Sequence, residues 1–244
     1  MTEIDVYERL IRTLTPRDEL SADDIALLRS MPLRMVAFGK GEEIVAQDSE
    51  AAESCLVVAG WTGRAVYLES GKRQITALHI PGDFVDLHGF TLKYMDHSVI
   101  ALTASQVAFM RHEELKRVTL LSPHLTRLLW MLTTIDGAVQ RTTIASLGRR
   151  PALERLSHLL CELDCRLAVV GLAHEHRYDI PLIQEELADL LGLSVVHMNR
   201  TIQDLRKFGF VTWIGSKVAI HDFDRLAKFS GFDPRYLSLL KRER

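Results

Sequence analysis

Long apolar runs are missing from this chain. Although 47% of its 244 residues are hydrophobic, which is ample for buried cores, no stretch approaches the ~18 to 20 apolar residues of a membrane helix. The opening MTEIDVYERLIRTLTPRDEL is acidic and amphipathic, without the basic-then-apolar layout of a signal peptide, so a cytoplasmic protein with no membrane partner is expected. Cysteine is scarce. Cys55, Cys161 and Cys165 make no disulfide framework and suit a reducing compartment. The GxSxG, HExxH and P-loop signatures are absent, as are clustered carboxylates, so catalysis is not expected. Charge of either sign is nearly balanced at −2. From Gly148 onward 15 Lys/Arg stand against 13 Asp/Glu, and before it 15 against 19, a weak bias of positive charge towards the C-terminal part. A local basic face matters more than such totals.

The densest signal is LIQEELADLLGLSVVHMNRTIQDLRKFGF, Leu182 to Phe210. It reads as two short helices joined by a tight turn. Leu187, Leu191 and Leu193 are apolar and Ala188 is small where the helices cross. Gly192 suits the left-handed residue that ends the first helix, and Ser194 can cap the second. Val195, Met198, Ile202 and Leu205 continue an apolar stripe at helical spacing. The other face carries His197, Asn199, Arg200, Gln203 and Arg206, types that read base edges or hold phosphates. An αα-hairpin with a solvated face is the plainer alternative. Downstream, Phe208–Trp213 and Lys217–Ile220 flank Gly215-Ser216, which reads as a β-hairpin. Together these parts spell a winged helix-turn-helix, with the second helix in the DNA major groove and Lys217 reaching a phosphate. The candidate DNA contacts are Ser194, Val196, His197, Asn199, Arg200, Gln203, Arg206 and Lys217.

Two helical patterns fill Met1 to Ser30, around Tyr7, Leu10, Ile11, Leu14 and then Ile25, Leu27, Leu28, with Pro16 and Ser21 marking the start of the second. Leu33 to Met110 is β-rich. Short runs recur at Met35–Phe38, Ile44–Ala46, Cys55–Ala59, Arg64–Leu68, Ile75–Ile80, Phe84–Leu87, Val99–Thr103 and Val107–Met110, and half of the 14 glycines fall in this zone. Such spacing predicts an antiparallel barrel or jelly roll. From Leu121 the period becomes helical: Leu121, Leu125, Leu128, Leu132, Ile135, Val139 and Thr142 alternate in steps of four and three. That seam predicts a two-helix dimer contact, with a helix lying on its own β-domain as the alternative. Gly148-Arg149-Arg150-Pro151 is the expected hinge. Beyond it, Leu153, Leu156, Leu159, Leu160 and Leu163 form a helix core face, and Tyr178–Leu182 a short strand.

This order of parts resembles the Crp/Fnr superfamily of bacterial transcription regulators over nearly the full chain, most sharply in Gly82-Asp83-Phe84 and in QEELADLLGLSVVHMNRTIQDLRKFGF. The resemblance implies an α+β fold. An antiparallel β-roll of jelly-roll, cyclic-nucleotide-binding-like type with N-terminal helices would span residues 1–120, a dimerisation helix 121–147, and a winged helix-turn-helix with a C-terminal helix 148–244. It implies a homodimer on a pseudo-palindromic duplex operator, with RNA polymerase as a further partner. The family's cyclic AMP site does not carry over. Its Gly-Glu-Leu-Gly segment corresponds to Asp86-Leu87-His88-Gly89, and its Arg-Ser pair to His97-Ser98. Leu87 has no acceptor for a ribose hydroxyl, His97 lacks arginine's bidentate fork, and Asp86 would repel a phosphate. Asp86, His88, Gly89, His97 and Ser98 remain the candidate effector pocket, its ligand unknown. In the recognition helix Arg200 takes the family's base-contacting arginine position, whereas Val195 and Val196 replace its more polar residues.

Cys161 and Cys165 share one helix face, as a redox pair or as two buried small hydrophobes. The resemblance's iron–sulfur mode is excluded, since no cysteine precedes Cys55. Of ten histidines, only His174 and His176, in an expected loop, show ligand spacing on one element, and no metal site is expected. His88 and His97 fall at the family's ligand pocket. The tail Asp222–Arg244 predicts an amphipathic helix that braces the DNA domain, with Lys-Arg-Glu-Arg able to touch DNA backbone. Against the regulator stands a sensor or scaffold acting through protein partners, in which the Arg200 face would be idle.

Overall fold

A computed structural model describes residues 6–243. Met1–Asp5 of the acidic N-terminus and Arg244 of the terminal Lys-Arg-Glu-Arg lie outside the described residues. The chain forms two compact units. One gathers the described residues of Met1–Val66, Thr76–Gly137 and Ser238–Arg244, the other Tyr67–Ile75 and Ala138–Leu237.

The first unit opens with α1 (Val6–Leu14) and α2 (Ala22–Arg29). Ser21 caps α2 as expected: its hydroxyl accepts from the Asp24 N–H, and the Asp24 carboxylate accepts from the Ser21 N–H, satisfying two otherwise free helix donors. Then come β1 (Arg34–Phe38), β2 (Glu43–Val45), β3 (Glu53–Ala59), β4 (Thr62–Tyr67), β5 (Arg73–His79), the short α3 (Gly89–Leu92), β6 (Ser98–Ala101) and β7 (Ser105–Arg111). They pair in two sheets ordered β1-β7-β3 and β2-β6-β4-β5. Strands alternate their side chains between faces. On β3 and β7, Cys55, Val57, Val107 and Phe109 face the roll interior. Leu56, Val58, Ala108 and Met110 face a second core built with Leu10, Leu14 and Leu28 of the N-terminal helices. Burial on both faces explains the unbroken apolar run of β3.

Among the described residues, seven of the eight expected β runs become strands. Phe84–Leu87 does not, and makes only an isolated bridge from Phe84 to Leu56. Gly82 sits at φ 99, the Asp83 carboxylate caps the Ile80 N–H, and Asp86 turns inward onto the Cys55 N–H at 2.6 Å. The backbone is thereby bent into α3 instead of running straight.

Helix also begins earlier than Leu121. α4 (His112–Leu121) buries Leu115 and Val118. It stops because Ser122 is extended (φ −132°, ψ 98°), the conformation that a following proline imposes. Pro123 then opens α5 (Pro123–Arg149), where its missing N–H costs no bond. The seam divides accordingly. Leu121 is exposed at the end of α4, whereas Leu125 and Leu128 are fully buried in the core of their own unit, each contributing ~1.5 to 3 kcal/mol. Ile135, Val139 and Thr142 are half-buried, and Trp130 and Ile144 are exposed on the same helix.

In the second unit, α6 (Ala152–Val169) follows Pro151 and buries Leu156, Leu160 and Leu163. β8 (Ala173–His174) and β9 (Arg177–Asp179) come next. The expected strand therefore ends at Asp179, three residues short of Leu182, and His174 lies in a strand instead of a loop. α7 (Gln184–Leu191), α8 (Val195–Lys207), β10 (Val211–Ile214), β11 (Lys217–Ile220) and α9 (Phe223–Ser230) complete it, the strands ordered β10-β11-β9-β8. α9 braces this unit: Leu226 is fully buried, Arg150 donates to the Ser230 carbonyl at 3.1 Å, and Phe232 meets the His158 ring edge-on. In the tail, Lys241 pairs with Glu19 at 3.2 Å.

Candidate nucleic-acid interface and sensor pocket

The turn between α7 and α8 is built from the residues that its sequence suggests. Gly192 adopts φ 62°, which a side chain resists, and a Cβ there would press on Leu147 at 3.4 Å. Ser194 caps α8, accepting from the His197 N–H at 3.2 Å. Leu187, Ala188 and Leu191 of α7 are buried, as are Met198, Ile202 and Leu205 of α8. Their spacing fixes which face of α8 points outward. Val195 departs from the expected stripe and is 46% exposed, with Val196 at 64%.

The outward face holds His197, Asn199, Arg200, Gln203 and Arg206. Asn199 donates to the Gln184 side-chain oxygen at 3.1 Å, and Gln203 donates to Asn199 at 2.9 Å, so these amides are pre-aligned along the helix. Arg206 has a different task, since its guanidinium donates to the Trp213 carbonyl and ties α8 to the hairpin. In that hairpin Gly215 takes φ 59°. Ile214 at the tip is 73% exposed, and Lys217 beside it is exposed.

Arg155 on α6 escaped the sequence reading. It donates to the carbonyls of Leu147 and Arg150 at 3.0 and 3.1 Å and to that of Leu191, so one guanidinium satisfies the ends of both α5 and α7. Cys161 is buried and Cys165 half-buried. Burial pushes both thiols up to about 12, which leaves little thiolate for redox chemistry.

The candidate effector residues separate into two groups. Asp86 is fully buried, and burial raises its carboxyl to about 7 despite the Cys55 N–H that it accepts. It pins the backbone of β3 from inside the roll through that bond. Gly89 starts α3 with its Cα side against Ala51 and Met95. Ser98 donates to Glu43 at 2.7 Å and accepts from the Gln47 N–H at 3.2 Å. His88 and His97 come together, their ring centroids 5.3 Å apart. Burial, reinforced by the nearby Arg64 charge, lowers His88 to about 4 and His97 below its usual value.

Arg64 is the largest omission of the sequence reading. It projects inward from β4, 3% exposed, donates to the Val85 carbonyl at 3.0 Å and pairs with Asp136 of α5 at 2.6 Å. Its signal was present: a guanidinium at an inward position of an otherwise apolar strand demands a partner. A cavity of about 370 Å³ also opens beside His88, with Leu87, Phe90, Leu129 and Trp130 among its walls.

Comparison with known proteins follows this layout. Residues 154–229 match a Crp-like helix-turn-helix domain and residues 35–120 a cyclic nucleotide-binding domain. A probable transcriptional activator of Rhizobium leguminosarum bv. viciae is 30% identical over 191 residues, covering 77% of this chain and 78% of that protein. The transcriptional activator protein FnrL of Cereibacter sphaeroides is 29% identical over 181 residues, 72% of each chain. The structure of FixK2 from Bradyrhizobium japonicum superposes with a TM-score of 0.73 at 25% identity, covering 82% of this chain and 98% of that one. Among the described residues no helix is long and apolar enough to cross a membrane.

Proposed function

From the premise that this chain belongs to the Crp/Fnr superfamily of DNA-binding transcription regulators, we propose that it acts as a homodimer on a pseudo-palindromic operator. The reading rests on the exposed face of α8, where Arg200 stands beside the aligned amides of Asn199 and Gln203. Arg200 is assigned to guanine, which a planar fork reads bidentately. His197 and Asn199 are assigned to neighbouring base edges, Val196 to a thymine methyl, and Lys217 to a phosphate beside the groove. Ser194 and Arg206 act by holding α8 and the hairpin in place.

The half-buried Ile135, Val139 and Thr142 continue the heptad seam of α5 through which two copies of the helix pair. Pairing sets two recognition helices ~34 Å apart, one turn of duplex. The division of labour is a sensor over 1–120, a pairing helix over 121–147 and a DNA domain over 148–244. The sensor takes an effector other than cyclic AMP, and the DNA-bound dimer engages RNA polymerase in the cytoplasm.

The deciding experiment is selection of sites by the purified full chain from a random duplex pool in near-physiological salt. Enrichment of an inverted repeat with half-sites about one helical turn apart is expected. Enrichment that persists unchanged in the Arg200→Ala variant would refute the assigned face.

A further inference from the structure

We propose that His88 and His97 bind a single divalent transition-metal ion, with Asp96 as the carboxylate of the site. One nitrogen from each histidine and one oxygen of Asp96 lie within 4.8 Å of one another. Tetrahedral zinc with nitrogen ligands at ~2.0 to 2.1 Å spans roughly 3.3 Å between ligand atoms, so small side-chain rotations close this set around one ion.

The orphaned nitrogens point to the same conclusion. Among the described residues, Nε2 of His88 and Nε2 of His97 are buried with no hydrogen-bond partner. Such groups normally find one, and an exception calls for an explanation. His97 is only 8% exposed, so bulk water cannot serve it freely. Its other nitrogen, Nδ1, is 2.7 Å from Asp96 Oδ1. An ion taking the place of the proton between these two atoms has both as ligands, with the unpartnered Nε2 of His88 as the third. Asp96 itself is 79% exposed and gives the cluster an entrance from solvent.

The electrostatics suit a cation. Arg64 nearby is already matched by Asp136, so Asp96 remains as the net negative charge of the site. Two imidazoles and a carboxylate favour zinc and its first-row neighbours over magnesium or calcium, which prefer all-oxygen sets.

This inference deepens the effector-pocket reading, but ion binding is measured without DNA, so the two fail separately. The full chain, stripped with chelator, is titrated with Zn²⁺ by calorimetry and with Co²⁺ by absorption. One ion per chain is expected, with a rise in melting temperature on zinc addition. His88→Ala, His97→Ala and Asp96→Asn, each removing one ligand, should each weaken binding by ~100-fold or more, beyond the loss usual for an outer-shell partner. Asp96 is exposed, so its variant folds even if a histidine variant does not. His174→Ala, in the second unit, should bind as the native chain does. Absence of saturable binding would overturn the proposal. So would thiolate charge-transfer bands with Co²⁺, or unchanged affinity in Asp96→Asn together with either histidine variant. If the ion binds and operator affinity does not respond, the site stands and its role as effector falls.

Discussion

The recognition helix and the interior of the β-roll place polar groups under opposite conditions. On α8 the arginine and amides stand in water, held only by a helix whose apolar side is buried. In the roll, Arg64, Asp86, His88 and His97 are enclosed; Arg64 and Asp86 take their partners from distant parts of the chain, His97 from its neighbour Asp96. Exposed polar residues can be exchanged at little cost in stability, so they are available to specify a ligand. Enclosed ones are bound up with stability itself, and the same group serves fold and sensing together.

Asp86 gives the largest expected effect and would break the contrast if it behaved like a surface acid. Its folded value of about 7 lies above the ordinary 3.8. Below the ordinary value both states hold the proton and the group is neutral in effect. As pH rises from there to about 7 the unfolded chain releases the proton first, so stability is lost across that window, on the order of 4 kcal/mol. Asp86→Asn, which keeps an acceptor for the Cys55 N–H, should flatten this loss in urea melts at pH 4, 5.5 and 7.5. An unaltered pH profile would show that Asp86 is solvated.

Asp136→Ala comes next. It leaves the Arg64 guanidinium, 4% exposed, without its carboxylate, at a cost of about 3 kcal/mol, the low end for a buried pair because Asp136 is partly solvated. Combining it with Arg64→Met should restore much of the loss. A double variant no better than the single one would mean that the pair stabilises the roll outright.

Arg200→Ala sharpens the other side of the comparison. Folding stability should stay within ~0.5 kcal/mol of native, while affinity for the selected operator falls by ~1 to 3 kcal/mol, read by fluorescence anisotropy. The smallest effect is Ser194→Ala. Loss of this cap should cost ~1 kcal/mol of stability, with DNA affinity reduced only as far as the start of α8 frays.

Legibility in the sequence follows the same division. The α8 face could be read directly because Met198, Ile202 and Leu205 lie at helical spacing, which fixes where Arg200 points. Val195 is exposed although it continues the stripe, since periodicity marks a helix face but not which of its turns is covered. In the roll, the family pattern located His88 and His97 but not their meeting. They are nine residues apart, at the start of α3 and just before β6, and the turn that folds one ring onto the other has no periodicity to announce it. The heptad run of α5 likewise could not say which of its leucines face home. Leu125 and Leu128 fill the unit's own core.

By itself the sequence determined what local physics controls: the capped helices at Ser21 and Ser194, the left-handed stop at Gly192, the β texture of the first unit and the outward polar face of α8. Each depends on residues within a turn or two of one another, and periodicity carries that information. Tertiary structure alone decided the partners of Arg64, Asp86, Arg155 and the two sensor histidines. The contacts of Arg64 and Asp86, and that of Arg155 with Leu191, join segments dozens of residues apart, and burial, which sets the cost of leaving such groups unpaired, exists only once the sheets have closed.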